Sequence, residues 1–420
     1  MGSDMVVALK EASANRTTLF GVNHYAVPGQ RLAVQFVPGA THDAGDVTQT
    51  ATGAVPQARQ TFGVLGVRPV GTSGYLHGVN ENRVALGVTR WQSRRASSPL
   101  ALSGVDLARL GLERSRNAHH AVEVLTDLLE HFGENAEHGC NDHIFLIADA
   151  TEAFALEASG RYWAMLECTS ARAVTEAAMI RQDWRRLAHG LADFAIEKGW
   201  WQDDGNKLDF VRTLAERNPT TLCAQKRWGR ITMALMQQQG AIDLEFLRRM
   251  LAEQDTQNAT QFPEPGNTAL ACNFLVDLHA PELPTLAWLA FGSPRVAVHF
   301  PLSPAGSIPP DFSESRPSSS SLQDRVLELE PLAQGSDKDQ KRLTAALERL
   351  QTKFDLDAEE FLARSRECHL HGRSQQINQL ASEMMHHHVV LFDREYRSLL
   401  GITNRAAQVS ALAEEELFFA

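Results

Sequence analysis

The hydrophobic residues of this chain change their spacing in blocks, and the order of the blocks limits the fold more than any other feature. In chain order the blocks are strand-like over residues 1–90, helical over 103–132, strand-like over 143–165, helical over 181–260 and strand-like over 268–278 and 285–300. Sequential strands joined by short turns favour antiparallel sheets, and helical blocks between them favour layers packed on those sheets. The sequence therefore predicts an α+β fold.

The composition changes after the last strand-like block. Residues 301–321 contain five prolines and eight serines, which is typical of a linker or a surface excursion. From residue 337 the pattern is helical, with one apolar face formed by Leu343, Leu347, Leu350 and Phe354. We therefore expect three parts, namely a main domain at 1–300, a linker at 301–322 and a helical C-terminal extension at 323–420.

Charge and cysteine usage exclude several classes of protein. Lys plus Arg number 40 and Asp plus Glu number 51, so the net charge of −11 argues against a nucleic-acid partner. The five cysteines are scattered without CxxC pairs, which describes neither a disulfide framework nor a zinc knuckle. No apolar run approaches the ~18 residues of a transmembrane helix, and no signal peptide is recognisable at the start. We expect a cytoplasmic protein without a membrane partner.

Seven short motifs occur in a fixed order along the main domain. They are Ser3-Asp4 before the apolar run Met5–Leu9, Phe20-Gly21-Val22-Asn23, Gly78-Val79-Asn80-Glu81, the helical segment Gly104–Arg114, Phe145–Asp149, Gly160–Ala164, and Lys198-Gly199-Trp200-Trp201. Together they resemble the dipeptidase and secernin family of N-terminal-nucleophile (Ntn) cysteine hydrolases, over roughly residues 3–300. The resemblance implies a four-layer αββα sandwich of two antiparallel sheets and an activity that cleaves amide bonds in small peptides or related acyl compounds.

The resemblance implies that position 3 is the nucleophile. The family opens with Cys-Asp, and this chain has Ser3-Asp4. In this class the first residue of the mature chain attacks the carbonyl carbon, and its own α-amino group, which titrates near pH ~8, is the base. Ser3 would therefore need release from Met1-Gly2 by autoproteolysis or trimming. A natural serine enzyme, a natural inactive relative, a deliberate replacement of cysteine and a serine in an unimportant N-terminal arm all remain open.

The positions that hold the amine and the oxyanion differ from the family pattern. The turn after Phe20-Gly21 keeps Asn23 but has Val22, His24 and Tyr25 where the family has a basic residue, Ser or Thr, and Asp. Val88-Thr89-Arg90 stands where the family has its first oxyanion asparagine, and Glu176 stands at the second. Removal of one oxyanion donor costs roughly a hundred-fold in rate, so the ordinary family mechanism cannot run unchanged.

Seven polar residues are the candidates for a replacement substrate site, and for each of them a structural or surface role is the competing interpretation. They are Asn23, His24, Asn80, Thr89, Arg90, His143 and Glu176. His24 is a candidate base or acyl-positioning group. Arg90 suits a substrate carboxylate, because a guanidinium binds it through two hydrogen bonds, and Glu176 suits an amine. Asn80, with Glu81, also fits a tight turn.

The C-terminal extension contains a histidine-rich cluster, Cys368-His369-Leu370-His371 and His386-His387-His388. These side chains are good zinc ligands, but they lack regular i, i+4 pairing. We expect neither a metal nor another cofactor, and expect a helix on the body or an oligomer contact instead.

Two functional hypotheses follow. The first is an Ntn amidohydrolase that acts on a small peptide or acyl-amide substrate with Ser3 as nucleophile. The second is a catalytically degenerate member of the family that binds a ligand or a partner protein. Acyl transfer to an amine shares the acyl-enzyme step with hydrolysis, so it is a third, weaker alternative. The formation of a homo-oligomer is left open.

Overall fold

A computed structural model describes residues 2–96, 101–135, 139–216, 219–261, 268–279, 282–313 and 321–402. Met1, part of the expected linker and the end of the expected extension therefore lie outside the described residues.

The strands are β1 Gly2–Ala8, β2 Thr18–Ala26, β3 Leu32–Val37, β4 Ala40–Thr41, β5 Val47–Thr50, β6 Gly53–Pro56, β7 Gln60–Thr61, β8 Val64–Pro69, β9 His77–Asn80, β10 Ala85–Arg90, β11 Glu134–Asn135, β12 Gly139–Cys140, β13 Asp142–Ala148, β14 Ala153–Ser159, β15 Tyr162–Cys168, β16 Ala171–Val174, β17 Arg186–Leu187, β18 Ala269–Leu278, β19 Ala287–Phe291 and β20 Phe300–Leu302. The α-helices are α1 Gly104–Arg114, α2 Ala118–Phe132, α3 Leu191–Glu197, α4 Phe210–Leu214, α5 Pro219–Gln237, α6 Leu244–Gln261, α7 Leu322–Leu327, α8 Glu330–Ala333, α9 Asp337–Leu370 and α10 Ser374–Leu400.

Two large antiparallel sheets form the body of the molecule. The first sheet has the strand order β16-β1-β2-β18-β19-β20, and the second has the order β17-β15-β14-β13-β10-β9-β8-β3. Hairpin connections such as β13-β14-β15 join neighbours in sequence, as short turns between apolar runs predict. Paired short strands, such as β4 with β7 and β5 with β6, lie in the 40–61 segment, which belongs to the strand-like block at 1–90 but has no apolar run that would locate individual strands.

The two sheets pack face to face, with β1 against β10 and β13. Their approach is close at Gly87, where an added β-carbon would lie 2.7 Å from the sulfur of Met5. Strand β1 is buried along its whole length, because the second sheet covers one face and helices cover the other. This explains why Met5–Leu9 is a continuous apolar run rather than an alternating one.

Helices cover both outer faces of the sheet pair. Helices α1 and α2 pack on the second sheet, and α5 and α6 pack on β16 and β18 of the first sheet. Ser103 caps α1 by accepting a hydrogen bond from the backbone of Asp106, and Asn117 caps α2 in the same way through His120. The order of layers is therefore helix, sheet, sheet, helix, which confirms the predicted αββα sandwich.

The predicted helical extension is confirmed as a long helix pair, α9 and α10, that packs on the edge strand β20. Phe300 of β20 contacts Phe354 of α9 and Phe392 of α10, with ring centroids 5.1 and 5.5 Å apart. Within the expected linker, Leu302, Ser303 and Phe312 are buried. The boundaries proposed at 301 and 323 stay a prediction.

Within the described ranges, no helix has both the length and the apolar character needed to cross a bilayer.

Candidate active site

Ser3 lies in the second position of β1, between the two sheets, and is 1% exposed. Strand register places it directly opposite His24 of β2, and His24 is in turn opposite Cys272 of β18. Neighbouring residues across antiparallel strands share one face of the sheet. Ser3, His24 and Cys272 therefore form a row of side chains on the face that meets the second sheet.

The hydroxyl and the backbone nitrogen of Ser3 both have specific partners. Ser3 Oγ is 3.0 Å from His24 Nδ1, and 3.4 Å from the carbonyl oxygen of Val88. The backbone N–H of Ser3 donates to Thr89 Oγ1 at 2.9 Å. Val88 and Thr89 belong to β10 of the second sheet, so both sheets take part in holding Ser3.

His24 is a neutral imidazole in this environment. Burial lowers its pKa to about 3, since a cationic ring loses its hydration between the sheets. It is therefore a weak base at neutral pH, although its Nδ1 can accept the hydroxyl proton of Ser3 as a hydrogen bond. This contact orients the Ser3 oxygen.

A second pair of polar side chains lies beside the first. His77 of β9 is fully buried, and its Nε2 is 3.9 Å from the sulfur of Cys272. Burial lowers the pKa of His77 and raises the pKa of the Cys272 thiol, so both groups are neutral near pH 7. The rings of His24 and His77 have centroids 6.5 Å apart.

A buried ion network fixes the start of β1 from the opposite face. Asp4 is fully buried. The single Nε–H of Arg227 in α5 lies 3.2 Å from both of its carboxylate oxygens, as a bifurcated hydrogen bond, and the hydroxyl of Tyr25 donates another. Arg227 also donates to Glu176 at 3.0 Å. The Glu176 carboxylate lies against Gly2, so close that a β-carbon added at Gly2 would be 2.1 Å from Glu176 Oε1. The candidate Glu176 thus lies next to the residue that precedes Ser3.

Asn23 and Asn80 are engaged in contacts away from Ser3. Asn23 alternates with His24 and faces the helical layer, where its amide donates to the carbonyl oxygen of Leu251 at 3.0 Å. The amide nitrogen of Asn80 donates to the carbonyl oxygens of Leu112 and Ser115, and its side-chain oxygen accepts the N–H groups of residues 82 and 84. Asn80 thereby shapes the turn between β9 and β10.

Arg90 and His143 pair with each other at the ends of β10 and β13. Arg90 directly follows Thr89 in β10, so its side chain points to the opposite face of the sheet. Arg90 is exposed, whereas His143 is buried under the start of α1, where a β-carbon on Gly104 would lie 2.7 Å from its Nδ1. Burial lowers the pKa of His143 to about 4. Both residues lie on the helix-covered side of the second sheet and not on the side of Ser3.

The histidine-rich segments lie on α9, α10 and the turn that joins them. His388 bonds to Asp357 Oδ2 at 3.0 Å and stacks on Phe354, so it fastens α10 to α9. The Nδ1 atoms of His371 and His386 form hydrogen bonds with the carbonyl oxygens of Glu367 and Ser382, respectively. Over the described ranges, no three His, Cys, Asp or Glu side chains are grouped so that they could hold a metal ion. Cys168, Cys223, Cys272 and Cys368 are free thiols.

Of the seven substrate-site candidates, the fold brings His24 and Thr89 into contact with Ser3, and Glu176 against Gly2. Sequence reasoning missed Arg227, His77 and Cys272. Arg227 and Asp4 are 223 residues apart in sequence, and His77 and Cys272 are 195 apart. Strand alternation could have assigned Cys272 and His24 to one face, but only if the pairing of β2 with β18 had been known.

Ser3 is enclosed in the described structure. One surface groove of about 590 Å³ is lined by Trp163, Trp184 and Arg185, and another of about 430 Å³ by Trp228 and Met233. Neither groove includes Ser3 or His24.

No family model matches the sequence. Two solved mutant forms of the conjugated bile acid hydrolase from Clostridium perfringens are similar in structure. Their TM-scores are 0.42 and 0.43, each at 11% identity over 69% of this chain and 89% of that chain. The N-acylethanolamine-hydrolyzing acid amidase ortholog from Caenorhabditis elegans has a TM-score of 0.33 at 10% identity, over 66% of this chain and 94% of that chain. At these values the similarity carries no inference about activity.

Proposed function

We propose that this chain is an Ntn-type amide hydrolase whose nucleophile is Ser3, exposed by cleavage of the Gly2–Ser3 peptide bond. The observation that carries the proposal is the pair of contacts on Ser3, namely Oγ to His24 Nδ1 at 3.0 Å and N to Thr89 Oγ1 at 2.9 Å. They hold both atoms that such chemistry needs at the inner face of an αββα sandwich. Cleavage converts the Ser3 peptide nitrogen into an α-amine beside its own hydroxyl.

The reaction runs in two halves through an ester on Ser3. The hydroxyl proton passes to the α-amine as Oγ bonds to the substrate carbonyl carbon, and the C=O electron pair moves to oxygen. Collapse of this intermediate breaks the C–N bond, and the leaving amine takes the proton back from the ammonium group. Water then attacks the ester by the same proton path and restores Ser3. These steps balance without a cofactor.

The α-amine, rather than His24, is the base in this scheme. An α-amine titrates near pH ~8, whereas the imidazole of His24 has a pKa of about 3 and binds a proton poorly at pH 7. His24 therefore orients the Ser3 oxygen and does not remove its proton. Thr89 accepts one hydrogen bond from Ser3 N, and its hydroxyl still has a proton to donate to a developing oxyanion.

Glu176 is the group best suited to meet the substrate or the new amine. Its carboxylate lies over Gly2, so departure of Gly2 would leave it facing the space beside the Ser3 nitrogen. A carboxylate there stabilises an ammonium group, either that of Ser3 or that of a peptide substrate with a free amino terminus. We propose a small peptide or acyl amide as substrate, with acyl transfer to an amine as the competing second half-reaction.

The test compares two forms of the protein. One begins at Gly2, and the other is made as a fusion whose removal leaves Ser3 as the first residue. Each is incubated with a panel of dipeptides and acyl amides, and with a serine-reactive phosphonate whose attachment is located by peptide mass. We expect the Ser3 form to release amine from at least one substrate and to carry the phosphonate on Ser3.

The controls are Ser3→Ala, which should abolish turnover and labelling, and Ser13→Ala, which removes another buried hydroxyl. Ser13 bonds to the carbonyl oxygen of Thr17 and has no role in the proposal, so its variant should keep the activity. A Ser3 form that hydrolyses nothing and leaves the phosphonate unreacted would overturn the proposal.

The alternative is a degenerate relative that binds a ligand or a partner protein. One observation favours it. Strand β1 already pairs with β2 at Gly2, which is opposite Tyr25, so Ser3 lies within a paired strand and is buried. Intact mass after expression distinguishes the two. A chain that keeps Gly2 in cells, together with an inert Ser3 form, supports the binding function.

A further inference from the structure

We propose that His77 is a positioning residue for His24 and is connected to it by one buried water molecule. In this arrangement the sulfur of Cys272 contacts the other ring nitrogen of His77, Nε2. The inference concerns the same site as the proposed function, and its consequence for reactivity rests on that function. Its structural content, the tautomers and hydrogen bonds of two histidines, does not depend on catalysis.

Four side chains follow one another across the space between the sheets. Ser3 bonds to Nδ1 of His24, and Cys272 is 3.9 Å from Nε2 of His77. The two outer contacts use one nitrogen of each ring. The remaining nitrogens, His24 Nε2 and His77 Nδ1, have no hydrogen-bond partner among the described protein atoms.

Both remaining nitrogens are fully buried, so the hydrogen-bond deficit is costly. An unsatisfied polar group in an interior costs about 1–3 kcal/mol, and buried polar sites of this kind commonly hold an ordered water. A water that bonds to two nitrogens at about 2.8 Å each holds them roughly 4.6 Å apart. The ring centroids of His24 and His77 are 6.5 Å apart, and the proposed bridge places His24 Nε2 and His77 Nδ1 on the facing edges of the two rings.

The surroundings leave the two rings few other arrangements. His77 packs on Phe274, with centroids 5.0 Å apart, and Phe274 follows Cys272 by two residues on the same face of β18. His24 is fixed in the strand between Ser3 and Cys272. Both rings are therefore held in place, with their centroids 6.5 Å apart.

The proposed bridge also assigns the protons. In it the Ser3 hydroxyl donates to His24 Nδ1, which is 3.0 Å away, rather than to the Val88 carbonyl oxygen at 3.4 Å. A neutral imidazole that accepts at Nδ1 carries its proton on Nε2. His24 Nε2–H then donates to the water, the water donates to His77 Nδ1, and His77 Nε2–H points at the Cys272 sulfur.

This direction has a consequence for Ser3. When the proton of His24 is held on Nε2, Nδ1 stays an acceptor and places no donor on the Ser3 oxygen. Without His77, the Nδ1–H tautomer becomes accessible, and it would donate to Oγ and occupy a lone pair that Oγ needs for attack. In the proposed reaction, where the α-amine takes the hydroxyl proton, this donation makes Ser3 a weaker nucleophile.

The experiment is ¹⁵N NMR of the histidine rings in the full chain, because protonated and unprotonated ring nitrogens resonate far apart. We expect His24 and His77 both as Nε2–H tautomers near pH 7. His77→Phe keeps an aromatic ring on Phe274 but removes the acceptor, and it should shift His24 towards a mixture of tautomers. The matched control His388→Phe removes an equally buried imidazole in α10 and should leave His24 unchanged.

The outcomes separate this inference from the proposed function. An Nδ1–H tautomer at either ring in the wild type overturns the inference, and this result needs no variant to fold. His24 resonances that stay unchanged in a folded His77→Phe protein overturn it as well. In the form that starts at Ser3, His77→Phe should slow phosphonate labelling by about tenfold or more, and His77→Gln, which retains an acceptor, should restore part of the rate. If no form is labelled but the tautomers behave as described, the inference holds and the hydrolase proposal fails.

Discussion

The carboxylate of Glu176 lies against the Cα atom of Gly2, so that a β-carbon at position 2 would fall 2.1 Å from the carboxyl carbon. Glu176 cannot move aside freely, because Arg227 holds it at 3.0 Å and holds Asp4 at 3.2 Å on both oxygens. The first residues of β1 are thus covered on one side by a carboxylate that is itself part of a buried ion network. Glu176 therefore lies next to the residue that the proposed cleavage removes.

Gly2→Ala should destabilise the protein by about 1–3 kcal/mol, because the new methyl group overlaps the Glu176 carboxylate. Denaturant unfolding monitors the change. Glu176→Ala on the same chain should recover much of the loss, since it removes the overlapping group. The control is Gly229→Ala in α5, where the added β-carbon has nothing within 4 Å, and it should stabilise by about 0.5–1 kcal/mol. A Gly2→Ala protein as stable as the wild type would contradict the contact.

Arg227→Leu should destabilise the fold by about 3–5 kcal/mol, because it leaves Asp4 charged and fully buried without its cation. The comparison is Arg181→Ala, which breaks an exposed pair with Asp209 at 2.9 Å and should cost at most about 1 kcal/mol. Urea unfolding of both variants at one pH measures the difference. Equal losses in the two variants would mean that burial adds nothing to the Arg227 pair.

The layered fold was predictable because it depends on local patterns. Met5–Leu9 is apolar at every position since both faces of β1 are covered, and the Gly104–Arg114 and Ala118–Phe132 segments each have one apolar face that packs on the second sheet. These patterns act over a few residues and can be recognised without knowing the partners. The short strands of the 40–61 segment have mostly exposed residues and no such signal.

The site was predictable only in part, because it depends on which strands are neighbours. Strand alternation places Ser3 and Met5 on one face of β1 and Asp4 on the other, and it separates His24 from Asn23. It does not reveal that Arg227 comes from α5 to meet Asp4, or that His77 of the second sheet meets Cys272 of the first. A resemblance based on position in the chain also grouped Arg90 and His143 with residues whose side chains point to the opposite face.

The stability of the protein should fall as pH rises towards 7, because of Glu157. Burial raises the pKa of this carboxyl to about 7 from an ordinary value of 4.5, although it accepts the backbone N–H groups of Met179 and Ile180. Between these two values the folded protein binds the proton and the unfolded chain does not. The stabilisation is therefore complete below pH ~4.5 and is lost as pH rises through about 7, by on the order of 3 kcal/mol.

Glu157→Gln should remove this dependence, since the amide oxygen still accepts the two N–H groups and never ionises. Free energies of unfolding at pH 5 and pH 8 should converge in the variant relative to the wild type. The exposed Glu359→Gln serves as control and should keep the wild-type slope. A wild-type protein that gains stability between pH 5 and 8, with Glu157→Gln parallel to it, would refute the assignment.

Ser3→Cys should report directly on the enclosure of position 3. A thiol reacts as thiolate and only when a reagent can reach it, and position 3 is 1% exposed while the chain retains Gly2. We expect iodoacetamide to modify this position at least about tenfold faster in the form that starts at residue 3 than in the form that starts at Gly2. Cys368 is partly exposed in α9 and supplies an internal reference rate in both forms. Equal labelling of the two forms would show that Gly2 and Glu176 do not close the site, and the cleavage step would then have no role in exposing the nucleophile.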